Sequence, residues 1–314
     1  MGNEVDTPVG AAGTEDADGQ LLAAVEQIVR AVVAEEVVPR WRRLAASDIA
    51  EKNGPHDLVT TADRAAEAQL ARRLTALLPG SVVVGEEAVS EQPALLGLLR
   101  EDAPVWVVDP VDGTAAFVRG ETGFSTLVSL VRGGRPVAGW TYAPQRDQFA
   151  TALLGHGAHL NGERLHTAAD PDRLRLWISN PVFRTPAEQA ALARLSTAAE
   201  TVPCLTSAGL GYLEVARGDA DGVAFFWEAP WDHSAGLLLV SEAGGTSRTA
   251  AGEPFRVAGG NALPFTVSRD AATARRVIGL LTAGESGAPD GGEGATGDGR
   301  GPAGTPPAGA EEDR

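Results

Sequence analysis

One cysteine, Cys204, in 314 residues excludes an intrachain disulfide. That usage fits a reducing compartment, and the flanking Pro203 and Leu205 point to a small buried residue rather than a reactive thiol. No basic-then-apolar stretch opens the chain and no run of about 18 apolar residues occurs, so the expectation is a soluble, cytoplasmic protein with no membrane partner. Lys and Arg are missing from residues 1–20, which carry Glu4, Asp6, Glu15, Asp16 and Asp18. Residues 283–314 hold seven acids against Arg300 and Arg314, so most of the formal charge of −16 lies in the two ends. An acidic chain is a poor partner for a nucleic-acid polymer. The histidines His56, His156, His159, His166 and His233 fall in no H-E-x-x-H pattern. Gly209-Leu210-Gly211 opens like a dinucleotide fingerprint but lacks the third glycine.

What is present is a core-forming chain, 43% hydrophobic. Residues 1–18 read as a disordered acidic arm and 283–314 as a disordered Gly/Pro/acidic tail. Between them, helical spacing of apolar residues predicts a helix from Gln20 to about Ser47, with Pro39 kinking or splitting it, and a second from Thr61 to Leu78. Short strands and Gly-Gly or Pro-containing turns follow to residue 153. From about residue 155 strands and helices alternate. The expectation is therefore an N-terminal α+β half, 19–153, and a C-terminal α/β half, 154–282.

The stretch Val105-Trp106-Val107-Val108-Asp109-Pro110-Val111-Asp112-Gly113-Thr114 is the most informative. An apolar strand runs into Asp109 and is expected to stop at Pro110, which has no N–H for a ladder. Two carboxylates three positions apart then share a tight turn, and their repulsion is relieved by a divalent cation of the kind carboxylate oxygens prefer. Asp112 looks like a turn residue, so Asp112→Asn is expected to leave folding nearly intact. Three more acidic clusters border apolar elements: Asp57 with Asp63, Glu86-Glu87 after a strand, and Asp232 at a helix start. Singly, these read as helix-terminus acids, a solvated turn and an N-cap. Jointly, they read as a carboxylate metal site.

In order, Asp57-x-Val59-Thr60-x-x-Asp63, Gly85-Glu86-Glu87, Asp109-Pro110-Val111-Asp112-Gly113-Thr114 and Trp231-Asp232-x-x-Ala235-Gly236 resemble the inositol monophosphatase family of Mg²⁺-dependent, lithium-sensitive phosphomonoesterases. The likeness spans about residues 20–282. It implies a layered αβαβα sandwich of the sugar-phosphatase type with a cleft between its halves. It implies two or three Mg²⁺ ions, with Mn²⁺ as an alternative. Glu86, Asp109, the Val111 carbonyl, Asp112 and Asp232 would hold them. Asp63 and Thr114, with Glu86, would serve the attacking water. The Gly113 and Thr114 amides would receive phosphate, near Lys52. It also implies a homodimer. Such chemistry calls for strong catalysis, because phosphate monoesters hydrolyse very slowly in water.

The substrate wall departs from inositol-specific relatives. Where those have a glutamate seven residues before the Trp-Asp aspartate, this chain has Phe225, with Glu228 the nearest acid. Ser207 and Ala208 stand where backbone donors to substrate are expected, and His233 is a candidate for the leaving group. Phe225, Phe226 and Trp227 read either as an aromatic substrate wall or as core strand residues. Histidinol phosphate, a sugar or polyol phosphate, fructose 1,6-bisphosphate and a phosphoadenosine nucleotide remain open beside inositol phosphate. From a different class, a non-catalytic metal-binding regulator is the rival reading.

Overall fold

The C-terminal end of one buried strand is where the layers of the protein meet. A computed structural model describes residues 12–52, 57–167, 173–178, 184–202 and 206–283. The terminal tails beyond these limits, the turn holding His56, and Cys204 lie outside the described residues.

The chain begins with helix α1 (Ala12–Val32), a hairpin of β1 (Ile49–Glu51) and β2 (Leu58–Thr60), and α2 (Thr61–Leu77). There follow β3 (Val82–Gly85), α3 (Glu86–Glu91), β4 (Val105–Asp112), α4 (Thr114–Val118), β5 (Ser125–Arg132), β6 (Arg135–Ala143), β7 (Gln148–Leu153), β8 (Gly157–Leu160) and β9 (Glu163–Arg164). The remainder holds β10 (Arg175–Trp177), α5 (Pro186–Ala198), β11 (Glu200–Val202), α6 (Ala208–Ala216), β12 (Gly222–Phe225), α7 (Pro230–Glu242), β13 (Thr246–Thr249), β14 (Phe265–Ser268) and α8 (Ala271–Thr282).

Among the described residues, β3 to β9 form one sheet in chain order. Only its first pair, β3 and β4, is parallel, and the other pairs are antiparallel. The second sheet has the order β11-β10-β12-β14-β13, parallel on the β10 side and antiparallel at β14. Helices fill three layers around these two sheets. Val25, Val29 and Val32 of α1 and Ala66, Leu70 and Leu74 of α2 pack on Trp106, Val108 and Trp140 of the first sheet. Helices α6 and α7 lie between the sheets, with Tyr212 and Leu239 joining Ala150 and Ala152 to Val223 and Phe265. Leu192 and Leu195 of α5 and Val277 and Ile278 of α8 cover the far face on Leu176 and Ala224. The expected αβαβα layering is therefore the observed one.

Four differences from the sequence reading have physical causes. Helix α1 starts at Ala12, ahead of Gln20, because apolar periodicity marks where a helix packs and not where its backbone begins. Past Val32 it loosens into a single π turn, in which the Val38 N–H donates to the Val33 carbonyl, and it ends before Pro39 rather than running to Ser47. The β1–β2 hairpin and strands β11 and β13 are too short and polar to show a period of two. Strand β4 does not stop at Pro110 but runs through it to Asp112. The β4–β5 register shifts between Asp109 and Asp112. There the Val111 N–H donates to Asp109 Oδ1 rather than to the ladder, and the Pro110 carbonyl accepts from Thr126 Oγ. The bulge lets the strand survive a residue without an N–H.

The middle layer fits tightly. A Cβ built on Gly236 of α7 would lie 2.1 Å from the ring of Tyr212, and one on Gly139 of β6 would lie 3.2 Å from the Ala235 backbone. Gly236→Ala is expected to lower unfolding free energy by about 1–3 kcal/mol through overpacking, read as a fall in the denaturant midpoint. An unchanged midpoint would mean that α6 and α7 do not approach this closely.

Candidate metal centre and active site

Strand β4 delivers Asp109 and Asp112, and the first turn of α7 delivers Asp232. Each offers a carboxylate oxygen, and these atoms lie within 4.8 Å of one another. Asp109 and Asp112 are buried. Glu86, the first residue of α3, adds a fourth negative charge to the group. Burial first, then Glu86, Asp112 and Asp232, push the Asp109 carboxyl well above the ordinary range. Burial and then Asp112 raise Asp232 to about 7. Burial, helped by Asp232 against the pull of Lys52, raises Glu86 to about 8. Hard carboxylate oxygens crowded in this way, with their protons bound too tightly, form a donor set that suits a divalent cation of the Mg²⁺ kind.

Asp112 is not the loose turn residue that its neighbourhood in the sequence suggests. Its Oδ1 accepts from Ala208 N at 2.9 Å, and its Oδ2 from Gly209 N at 2.7 Å, Ser207 Oγ at 2.5 Å and Ser125 Oγ at 3.0 Å. Ser207 Oγ meanwhile caps α6 through the Leu210 N–H. Ser207 and Ala208, expected at the substrate, thus direct these donors to Asp112 and tie α6 to the end of β4. Gly113 must be glycine, since its φ is +90° and a Cβ there would lie 2.8 Å from the Gly123 carbonyl.

Helix α2 supplies two more buried carboxylates, one turn apart. Asp63 Oδ2 accepts from the N–H and Oγ of Thr60 at 2.9 and 2.5 Å, the capping box of the helix. Its Oδ1 lies 3.3 Å from Thr114 Oγ, which donates at 2.9 Å to the Val111 carbonyl. Burial raises Asp63 to about 6 despite the Thr60 bonds. Glu67 went unrecognised in the sequence, where it reads as one more helix acid among alanines. Its two oxygens accept from the Glu87 and Ala88 N–H groups, each at 2.8 Å. A Cβ on Gly85 would lie 2.3 Å from its carboxyl carbon. Glu67 therefore holds the first turn of α3, and with it Glu86, while burial raises it to about 7.

Lys52, the single lysine of the chain, joins this group. Its Nζ lies 2.6 Å from Glu86 Oε1, 3.0 Å from Glu87 Oε1 and 3.8 Å from Asp57. Burial opposes its charge, but Glu86 and then Glu87 raise its pKa above the usual value.

Two predicted residues, His233 and Glu228, fall elsewhere, and Phe225 takes the core alternative. His233 is buried in the core. Its Nδ1 lies 3.0 Å from Tyr212 Oη and its Nε2 3.0 Å from the Trp227 carbonyl, and burial lowers it to about 3. A carbonyl can only accept, so Nε2 carries the proton and Nδ1 accepts from the tyrosine. A neutral ring with both nitrogens occupied does not reach a leaving group. Phe225 is likewise core, stacked on Tyr212 and packed against Phe265. Glu228 Oε1 accepts from Asn261 N and Nδ2, both at 2.6 Å, and braces the 256–261 loop. Trp227 differs from Phe225, for its Nε1 donates to Asp232 Oδ2 at 2.5 Å.

A family profile described as inositol monophosphatase family matches residues 18–278. An inositol-1-monophosphatase of Bacillus subtilis is 29% identical over 235 residues, covering 70% of this chain and 87% of its own length. A fructose-1,6-bisphosphatase/inositol-1-monophosphatase of Aquifex aeolicus is 32% identical over 221 residues, covering 66% and 77%. A Thermotoga maritima IMPase structure superposes with a TM-score of 0.71 at 24% identity, over 84% of this chain and 97% of that one. A suhB extragenic suppressor structure from Bartonella henselae does so at 0.71 and 24%, over 86% and 99%. At that identity the structures share the fold.

The four donors on Asp112 require a group that only accepts. Asp112→Asn turns an amide NH₂ toward at least one of them and is expected to cost about 1–3 kcal/mol of stability. Asp109→Asn keeps an acceptor for Val111 and replaces a group whose ionisation burial and its acidic neighbours oppose, so the metal-free protein should be at least as stable as wild type. Urea unfolding of both variants in chelator checks the pair, and equal effects would contradict the hydrogen bonding described. The carboxylates raised to about 6 to 8 lie above their unfolded values of about 4. The folded state therefore holds the extra protons, and stability present below about pH 4 is lost as pH rises through 6 to 8. Tm of the metal-free protein is expected to fall across that window, and a saturating divalent cation should flatten the slope. A Tm that rises from pH 5 to 8 in chelator would contradict the raised values.

Proposed function

The chain belongs to the inositol monophosphatase family, and from that premise we propose that it hydrolyses a small phosphate monoester with Mg²⁺ held by Glu86, Asp109, the Val111 carbonyl, Asp112 and Asp232. The observation that carries the reading is the convergence of Asp109, Asp112 and Asp232 within 4.8 Å, next to the linked pair Asp63 and Thr114. Two or three ions match the number of carboxylates, and Mn²⁺ is the natural alternative. When bound, such ions offset phosphate charge and favour ionisation of the attacking water.

The protein's own groups do the rest. Thr114 Oγ, held between Asp63 and the Val111 carbonyl, orients the water. Asp63, raised to about 6, is ionised near neutral pH yet basic enough to take the proton. Gly113 and Thr114 N–H groups at the start of α4 meet the phosphate oxygens. Water oxygen bonds to phosphorus as its proton passes to Asp63, the ester P–O bond breaks, the departing alkoxide takes a proton from solvent, Asp63 gives its proton back to solvent, and the products are alcohol and inorganic phosphate. Lys52 balances Glu86 and lies within reach of incoming phosphate. Glu86 completes the acid set, and Glu67 steadies it.

The buried Phe225 offers no acceptor for a ring hydroxyl, which supports an ester other than inositol 1-phosphate. Sugar phosphates, histidinol phosphate, fructose 1,6-bisphosphate and phosphoadenosine nucleotides stay within the reading. The filled set of acids, with Asp63 and Thr114 in contact, favours turnover over a purely regulatory metal-binding role. No helix among the described residues is long and apolar enough to cross a membrane; a cytoplasmic homodimer acting on a diffusible ester is part of the proposal.

Phosphate release from a panel of small esters should require Mg²⁺ and vanish in chelator. Asp63→Asn should lower kcat on the best ester by at least about 100-fold, within the range for losing a general base, with the far-ultraviolet spectrum unchanged. No release from any ester by folded protein in excess Mg²⁺ would reject the reading.

A further inference from the structure

One indole ring away from the carboxylate cluster stands a guanidinium that forms no ion pair among the described residues. The Arg184 Cζ lies 4.5 Å from the Trp227 ring centroid and 5.4 Å from that of Phe226. Among the described residues no carboxylate forms an ion pair with it, and its Nε is buried without a hydrogen-bond partner. The nearest acid in sequence, Glu188, is committed elsewhere, since its Oε2 accepts from Thr185 N and Oγ as the capping box of α5. An uncompensated, largely desolvated guanidinium is costly. Burial accordingly lowers its pKa, only partly offset by Glu188.

The position of this charge gives it a use. Trp227 is fixed at both ends, its carbonyl accepting from His233 Nε2 and its Nε1 donating to Asp232 Oδ2. Arg184 therefore lies one indole ring away from a member of the metal-ligating triad, stacked on a platform that cannot turn. A guanidinium fork can meet a planar or tetrahedral anion in bidentate fashion, and among the described residues no carboxylate occupies this one.

We propose that Arg184 receives a second anionic group of the substrate, so that the preferred ester carries a phosphate or carboxylate in addition to the phosphate that is hydrolysed. The inference rests on the phosphatase reading for which end of the molecule reacts, and it adds the chemical class of the other end. It also gives the aromatic pair Phe226 and Trp227 a role that the buried Phe225 lacks.

Two matched pairs of esters separate the cases. Fructose 1,6-bisphosphate and fructose 1-phosphate differ by a phosphate, and 2-phosphoglycerate and glycerol 2-phosphate differ by a carboxylate. KM is measured by phosphate release, and Kd by calorimetry in an Asp63→Asn background that suppresses turnover. In at least one pair the doubly anionic member should bind at least about tenfold more tightly, and the pair that does so identifies the second group. Arg184→Gln should bring that ratio to within about twofold of one, and Arg184→Lys should fall between. The lysine variant carries the test if the glutamine variant does not fold. Equal binding within both pairs, or a ratio that survives Arg184→Gln, overturns the inference even if every ester is hydrolysed. A ratio that Arg184→Gln abolishes in calorimetry, with no turnover of any ester by the unmodified protein, upholds it while rejecting the phosphatase reading.

Discussion

Repulsion among buried carboxylates governs this structure. Asp109, Asp112 and Asp232 would separate or take up protons in water, yet the fold confines them within 4.8 Å. Each is tied down by bonds that a neutral core could not supply. Asp112 takes four donors from β5 and the start of α6, Asp232 takes the Trp227 indole, and Asp109 takes the N–H freed by the bulge at Pro110. The energy that holds them comes from the apolar layers on either side, where α1 and α2 cover one face of the first sheet and α6 and α7 the other. A site of this kind is electrostatically incomplete by itself and is stabilised by whatever cation enters it.

Helix α2 connects the core to the chemistry. Its apolar stripe of Ala66, Leu70 and Leu74 anchors it to the sheet. From the same short segment Asp63 reaches Thr114 and Glu67 reaches the amides of α3. Thr114 and the first turn of α3, with Glu86, are thus referenced to one rigid rod. The same economy holds at α7, whose Gly236 and Ala235 allow close packing while its first turn presents Asp232.

Side chains around Trp227 divide between structure and chemistry by whether their polar groups are satisfied. His233 has both nitrogens bonded and is locked neutral, and Phe225 is enclosed by rings. Arg184 is the opposite case, partly buried over Trp227 and, among the described residues, without an ion pair. Burial with every valence satisfied makes a scaffold residue, whereas burial with one left open makes a receptor.

How much could be read beforehand follows from the range of each interaction. Acid blocks bordering apolar runs, the start of α2 at Thr60 or Thr61 and the turn at Gly133-Gly134 are local patterns, and they are legible in the chain; the layered plan is what the family resemblance implies. The sequence by itself determined the identity and order of the carboxylates, and so the class of cation that such oxygens suit, because ligand hardness is a property of side chains. Only the tertiary structure decided that β4 passes through Pro110, that Ser207 and Ala208 serve Asp112, that Glu67 holds α3, that His233 faces inward, and that Arg184 stands on Trp227. These outcomes depend on contacts between residues from 6 to nearly 100 positions apart and on which donors remain unpaired after packing, and no local pattern carries that information.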